Sequence, residues 1–159
     1  MKRSIRYNTF ETNSSSVHTL QISKEGLSPS ELKIRKKDGM IRVPLKYWGK
    51  ETAEYTSQLD KLSYICTRAW FANSSHRWDW EVDNNEENYV LRYIEKAICD
   101  YTGAIGLELY IPKGVKPGFD HQTIPEYSDD MGGMCNVYDE ESIQNFVFNR
   151  FISFTTGCD

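Results

Sequence analysis

The sequence predicts an α+β fold: a small, largely antiparallel sheet with two or three helices packed on one face. Three observations lead to this prediction. Some segments alternate apolar and polar residues, others repeat apolar residues every three or four positions, and glycines and prolines separate them. The 159 residues match one ordinary domain, so we expect a single α+β domain over residues 1–159.

The first part of the chain predicts strands. Residues 16–22 alternate, which is typical of a short strand with one buried face. Residues 31–37 and 40–45 flank Asp38-Gly39, a dipeptide that favours tight turns, so we expect a β-hairpin. Pro44 has no N–H to donate to a neighbouring strand, which predicts that the second arm lies at a sheet edge.

Three later segments predict helices. Residues 50–71 have apolar residues at helical spacing. A second helix is expected to begin near Asn85, which can cap its first turn, and to end at Gly103. Its predicted inner face consists of Tyr89, Val90, Tyr93, Ile94, Ala97, Ile98 and Tyr101. Asp139 is expected to cap a third helix.

Two further strands complete the prediction. Residues 105–111 alternate and stop at Pro112, and residues 151–156 form a closing strand. Residues 113–136, rich in glycine and proline, separate the first of these strands from the third helix. A segment of that length is typical of a functional or mobile loop.

Composition excludes several classes of protein. Hydrophobic residues make up 39%, too many for a disordered chain, and no stretch approaches the ~20 apolar residues of a membrane span. The N-terminus lacks the apolar core of a secretory signal, so we expect a cytoplasmic protein. The four cysteines stand singly, so we expect neither a metal site nor disulfides, and no motif predicts a cofactor.

The charge is unevenly distributed. The chain has 19 Lys and Arg against 23 Asp and Glu, a net charge of −4, so direct binding to nucleic acid is not expected. Positive residues concentrate before Lys50, whereas residues 81–87 and 129–141 are acidic. This pattern indicates either two solvated faces of opposite sign or acidic segments that mimic nucleic acid or dock on a basic partner.

Two of the three histidines lie in polar motifs. His18 follows Asn13-Ser14-Ser15-Ser16-Val17, and Asp120 and Gln122-Thr123 flank His121. If these segments met, His18 and His121 could act as catalytic base and acid, with Asn13, the three serines, Asp120, Gln122 and Thr123 binding a ligand. The alternative is a hydrogen-bonded core histidine and a turn cap.

A second candidate surface is aromatic. Arg77, Trp78 and Trp80 follow the first predicted helix. Exposed tryptophan and arginine dominate many protein interfaces, so these three residues are a candidate interface. The alternative is that they anchor an interhelical loop on the core.

The segment from Arg6 through Phe10-Glu-Thr-Asn-Ser-Ser-Ser-Val-His18 resembles the opening motif of small uncharacterised phage and prophage proteins of Gram-positive bacteria. Residues 119–123 and 152–157 resemble features of the same group. The resemblance implies a phage accessory protein in the host bacterial cell, and it raises the interest of His18 and His121. On this interpretation the chain binds and antagonises a host protein or ribonucleoprotein, such as a host-defence complex, in an anti-CRISPR-like manner.

A weaker resemblance is to two-histidine phosphoesterases. His121-Gln122-Thr123 matches their His-x-Thr/Ser pattern, whereas His18-Thr19-Leu20 departs from it because leucine replaces the hydroxyl residue. This resemblance implies the alternative function: a small histidine-dependent phosphoesterase, or a protein that binds a nucleotide or a phosphorylated small molecule through His18 and His121. Whether the chain is an enzyme stays open between the two interpretations.

Overall fold

A computed structural model describes residues 19–21, 27–49, 53–74, 88–119 and 135–156. The strands are β1 (Thr19–Gln21), β2 (Met40–Pro44), β3 (Tyr47–Trp48), β4 (Ala53–Tyr55), β5 (Gly106–Tyr110), β6 (Gly118–Phe119) and β7 (Ser153–Thr156). The helices are α1 (Gln58–Ser74), α2 (Tyr89–Thr102) and α3 (Glu140–Phe148). None of the helices in these ranges is both long enough and apolar enough to cross a membrane.

The strands described form three small sheets. One has the order β1-β7-β4 with antiparallel pairing, and the other two are the parallel pairs β2-β5 and β3-β6. The predicted mixture of helices and strands is therefore confirmed, and the antiparallel pairing holds for the first sheet. The parallel pairs were not predicted, because alternation identifies a strand but carries no information about the direction of its neighbour.

Helix α1 is the centre of the fold. Residues 61–67 are all buried, although Lys61, Ser63 and Thr67 are polar. The Ser63 hydroxyl donates to the Pro44 carbonyl, and the Thr67 hydroxyl accepts the Lys46 N–H at 3.2 Å. Two hydroxyls one helical turn apart thus form hydrogen bonds with the backbone groups of Pro44, at the end of β2, and of Lys46, between β2 and β3. Among the described strands β2 pairs with β5 in a two-stranded sheet, so Pro44 lies in an edge strand, as predicted.

Lys61 ties α1 to the turn between α3 and β7. Its ammonium donates to the carbonyls of Asn149 at 2.9 Å and Ile152 at 3.2 Å, with the side chain buried. Burial lowers the pKa of this ammonium from 10.5 to about 8, since water no longer solvates the charge. The buried amine therefore connects segments that are far apart in the chain.

Residues 53–57 differ from the prediction. The predicted helix from residue 50 begins only at Gln58, since β4 occupies Ala53–Tyr55 and Ser57 accepts the Asp60 N–H through its hydroxyl at 3.0 Å. Short strands such as β3 and β4 give too few residues for alternation to be recognised. Their pairing comes from distant partners, β6 and β7.

Helix α2 begins at a different cap from the predicted one. Asn88 accepts the Leu91 N–H at 3.0 Å and donates to the Ala69 carbonyl at 2.8 Å, so it both caps α2 and links it to α1. Asn85 lies outside the described residues. Gly103 ends the helix with a φ of 77°, as predicted. The Asp139 cap of α3 is also confirmed by its bond to the Ser142 N–H at 2.9 Å.

The turn at Asp38-Gly39 forms as predicted, but the first arm of the hairpin contributes only one bridge, between Ile34 and Ile41. Gly39 has a φ of 70°, and a Cβ there would lie 2.6 Å from the Cδ1 of Ile105. The backbone conformation therefore favours glycine, and a Cβ would in addition displace the exposed Ile105 side chain. In β5, the N–H of Leu107 points away from β2. The Glu95 carboxylate of α2 accepts a hydrogen bond from it at 2.8 Å.

We expect the stability of the wild-type protein relative to the Lys61→Met variant to rise between about pH 8 and pH 10.5. Lys61 has a folded pKa of about 8 against 10.5 unfolded. In this window the unfolded chain retains a proton that the folded chain releases, so increasing pH favours folding. Urea unfolding of both proteins across the window measures the difference. A difference that stays constant would contradict the lowered pKa.

We expect Ser63→Ala to lower the free energy of unfolding by about 1–3 kcal/mol, because the buried Pro44 carbonyl loses its donor. The matched control is Ser153→Ala, whose hydroxyl donates to Glu54 at an exposed position. We expect the control to change the free energy by less than about 0.5 kcal/mol. Equal effects in urea unfolding would show that the Ser63 hydroxyl has no special role.

Candidate functional site

The predicted site residues lie outside the described part of the chain. This holds for the candidate acid and base His18 and His121 and for the candidate interface Arg77, Trp78 and Trp80. It also holds for the proposed ligand-binding residues Asn13, Ser14, Ser15, Ser16, Asp120, Gln122 and Thr123. Their predicted roles therefore stay predictions. The structure does describe the strands next to these residues in sequence. It also describes two further surfaces, one rich in exposed tyrosines and one near β2 and β5.

An aromatic cluster lies next to the two strands that adjoin the predicted histidine segments in sequence, β1 and β6. It consists of Trp48, Tyr55, Tyr64, Phe119 and Phe154. The Tyr64 ring lies 4.4 Å from that of Phe154 and 5.5 Å from that of Phe119, centre to centre. Phe154 is the register partner of Leu20 in β1, and Phe119 is the partner of Trp48. Positions 20 and 119, about a hundred residues apart in sequence, thus adjoin the same cluster.

Two buried polar atoms in this region have no hydrogen-bond partner among the described residues. They are the indole nitrogen of Trp48, which belongs to the cluster, and the hydroxyl of Thr156, two residues after Phe154 on the same face of β7. The side chains are 1% and 0% exposed. A buried donor without a partner costs free energy, so such atoms often mark a place where a ligand or an ordered water supplies the missing bond.

Exposed tyrosines form a second feature. The tyrosine surface comprises Tyr89 and Tyr93 of α2, Tyr138, and the acidic residues Glu140 and Glu141 of α3. The three tyrosines are 61%, 47% and 49% exposed. The rings of Tyr93 and Tyr138 meet edge to face, with centres 5.6 Å apart. Tyr89 lies one turn before Tyr93 on the same helical face.

The surroundings of the tyrosine surface are predominantly acidic. Lys96 donates to Asp100 at 2.7 Å and to Glu140 at 2.8 Å, which raises the pKa of the lysine and lowers that of Asp100. Glu141 is exposed and has no ion-pair partner among the described residues. The exposed charged residues of α2 and of residues 138–141 are the carboxylates Asp100, Asp139, Glu140 and Glu141 and the cations Arg92 and Lys96.

The surface near β2 and β5 carries paired charges of both signs. Arg35 pairs with Asp38 and Glu108, and these partners raise its pKa even though desolvation acts in the opposite direction. Arg42 lies with its guanidinium carbon 4.1 Å from the centre of the Tyr110 ring and its Nε 3.4 Å from Glu108. The arginines here are already engaged by partners from the same chain.

The described cysteines are poor nucleophiles. Burial raises the pKa of Cys135 to about 12, and it also raises the pKa of the Cys66 thiol. A thiol that stays protonated at neutral pH is a weak nucleophile and a weak metal ligand. Within the described ranges no three His, Cys, Asp or Glu side chains are grouped so that they could hold a metal ion.

Sequence reasoning placed the tyrosines incorrectly. Tyr89 and Tyr93 were predicted on the inner face of α2, whereas they are exposed. The buried face contains Ile94, Ala97 and Ile98. Tyrosine fits either face of a helix, so periodicity alone did not decide. A usable signal was the proximity in sequence of Tyr138 to three consecutive acidic residues, which is unusual for a buried segment.

Comparison of the chain with protein-family models, with curated proteins and with solved structures gave no match. The candidate sites therefore depend on the geometry described above: the tyrosine surface of α2 and α3, and the buried unpartnered donors beside the aromatic cluster.

Proposed function

We propose that this chain is a binding protein that docks on a protein partner through the tyrosine surface. The observation that carries the proposal is the exposure of Tyr89, Tyr93 and Tyr138 together, at 61%, 47% and 49%. Tyrosine is enriched at protein interfaces because its ring contributes a large apolar area at a low cost in conformational entropy. Single exposed apolar residues need no explanation, but three exposed tyrosines, two on α2 and one in the turn before α3, do.

The wider role that we propose is that of a phage or prophage accessory protein. It binds and antagonises a component of the host bacterial cell, and a host-defence ribonucleoprotein, inhibited in an anti-CRISPR-like manner, is the candidate target. The motif from Arg6 to His18 supports the origin, and the exposed tyrosines support the mode of action. Neither requires catalysis.

We expect the double variant Tyr93→Ala/Tyr138→Ala to lose antagonism. Losing an anchor residue typically costs about 2 kcal/mol of binding free energy, or about 30-fold in Kd. The assay expresses the full chain in bacteria with active RNA-guided immunity and counts the plaques of a targeted phage. Wild-type protein should raise the count, and the double variant should raise it much less at an equal melting temperature.

The control for this assay is Tyr47→Ala, which removes a 44% exposed tyrosine of β3, outside the tyrosine surface. We expect the control to retain antagonism. Retention by the double variant, or equal loss in the control, would contradict docking through the tyrosine surface. If the wild-type chain protects no phage, the defence target is wrong.

A second candidate function is supported by the unpartnered donors. A small phosphoesterase or nucleotide-binding protein holds its ligand with hydrogen-bond donors that meet the acceptor oxygens of the ligand. The Trp48 indole N–H and the Thr156 hydroxyl are such donors. In sequence, His18 precedes β1 and His121 follows β6, and both strands adjoin the aromatic cluster. The proposed roles are acid and base for the two histidines.

For this candidate we expect His18→Ala and His121→Ala each to reduce hydrolysis of bis(p-nitrophenyl) phosphate by about 100-fold or more, as loss of a general acid or base does. His76→Ala is the matched control and should leave the rate unchanged. Titration of ATP by calorimetry tests binding without turnover. The absence of both hydrolysis and nucleotide binding by the wild-type chain would eliminate this candidate.

A further inference from the structure

We propose that the tyrosine surface recognises arginine side chains in a basic segment of its protein partner. This inference depends on the proposed docking function and names the chemistry of the partner. It follows from three features of the described residues: the open ring faces, the excess of carboxylates, and an arrangement of the same groups elsewhere in the chain.

The first feature is the geometry of the tyrosine pair. Tyr93 and Tyr138 meet at an interplanar angle of 81°, so the edge of one ring lies against the face of the other. Each ring therefore keeps at least one face that its neighbour does not cover. The face of an aromatic ring carries partial negative charge and attracts a cation. Together with Tyr89, these faces offer several stacking positions.

The second feature is the charge of the surroundings. Lys96 is held between Asp100 and Glu140, so this cation is unavailable to neutralise the remaining carboxylates. Glu141 and Asp139 stay exposed near Tyr138, with no cation paired to them in the described ranges. A phosphate-bearing partner would be repelled by this excess of negative charge, whereas a basic protein segment would be attracted. The surface is complementary in sign to a cationic partner.

The third feature selects arginine over lysine. Arg42 stacks on Tyr110 at 4.1 Å and approaches the Glu108 carboxylate at 3.4 Å, at a partly exposed position of the same molecule. That arrangement uses one ring and one carboxylate. The tyrosine surface presents both groups, and no arginine of the described residues, Arg92 of α2 included, is stacked on its rings. A planar guanidinium can stack and donate at once, whereas a strongly hydrated ammonium stacks less well.

The test uses the full-length chain and four fluorescent peptides of equal length, rich in arginine, lysine, glutamate or neutral residues, read by fluorescence anisotropy. We expect the arginine peptide to bind about fivefold more tightly than the lysine peptide, and the other two not to bind. Affinity for the arginine peptide should fall as salt is raised from about 0.05 M to about 0.3 M, because ions screen the exposed charges.

Two variants separate this inference from the proposed function. Tyr93→Ala should weaken binding of the arginine peptide by about tenfold, through loss of a stacking face. Glu141→Lys should weaken it by about fivefold or more, through charge reversal. The matched control is Glu54→Lys, which changes the net charge equally at an exposed position of β4. We expect the control to bind nearly as tightly as the wild type.

The outcomes are distinguishable. If the neutral or acidic peptide binds best and only Tyr93→Ala weakens it, docking through tyrosine stands and arginine recognition is overturned. If only Glu141→Lys weakens binding of the arginine peptide, the tyrosines are not anchors and the docking function itself is overturned. Equal binding of the arginine and lysine peptides overturns the selection of arginine. Failure of all four peptides to bind overturns both proposals.

Discussion

The fold depends on the burial of a helix that contains polar residues. Because α1 is enclosed over residues 61–67, each polar side chain there must find a partner in a neighbouring element or destabilise the protein. Those partners are backbone groups: carbonyls of Pro44, Asn149 and Ile152, and the amide of Lys46. The helix therefore fixes where β2 ends and where the chain turns from α3 into β7.

This constraint also positions the two candidate sites. The aromatic cluster lies on α1 through Tyr64, where α1 adjoins both β6 and β7. The tyrosine surface depends on the contact of α2 with α3, where the Gln144 amide donates to the Ala97 carbonyl at 3.0 Å. Both helices also contribute buried residues to the core: Ile94, Ala97, Ile143 and Val147. Buried residues thus determine which tyrosines remain outside. Exposed residues on such a frame can change without disturbing the fold, which suits a surface that adapts to a partner.

The sequence predicted correctly those helix ends and turns that depend on one or two neighbouring residues. Gly103, Asp139 and the Asp38-Gly39 turn were identified because their backbone requirements are visible in one or two residues. The strands β3, β4 and β6 were missed, since two or three residues carry no period and depend on distant partners. The tyrosine surface was missed for a related reason: tyrosine is amphipathic, and only the packing of α3 decides its exposure.

The carboxylate of Glu95 affects how readily copies of this chain could pair through the edge of β5. An open strand edge is a template on which other chains can assemble into fibrils. On the outer side of β5, the Leu107 N–H already donates to the Glu95 carboxylate, so this donor is not open to a second chain. A second copy of the chain would therefore find one main-chain donor fewer at this edge, because an acidic side chain of the same molecule already holds it.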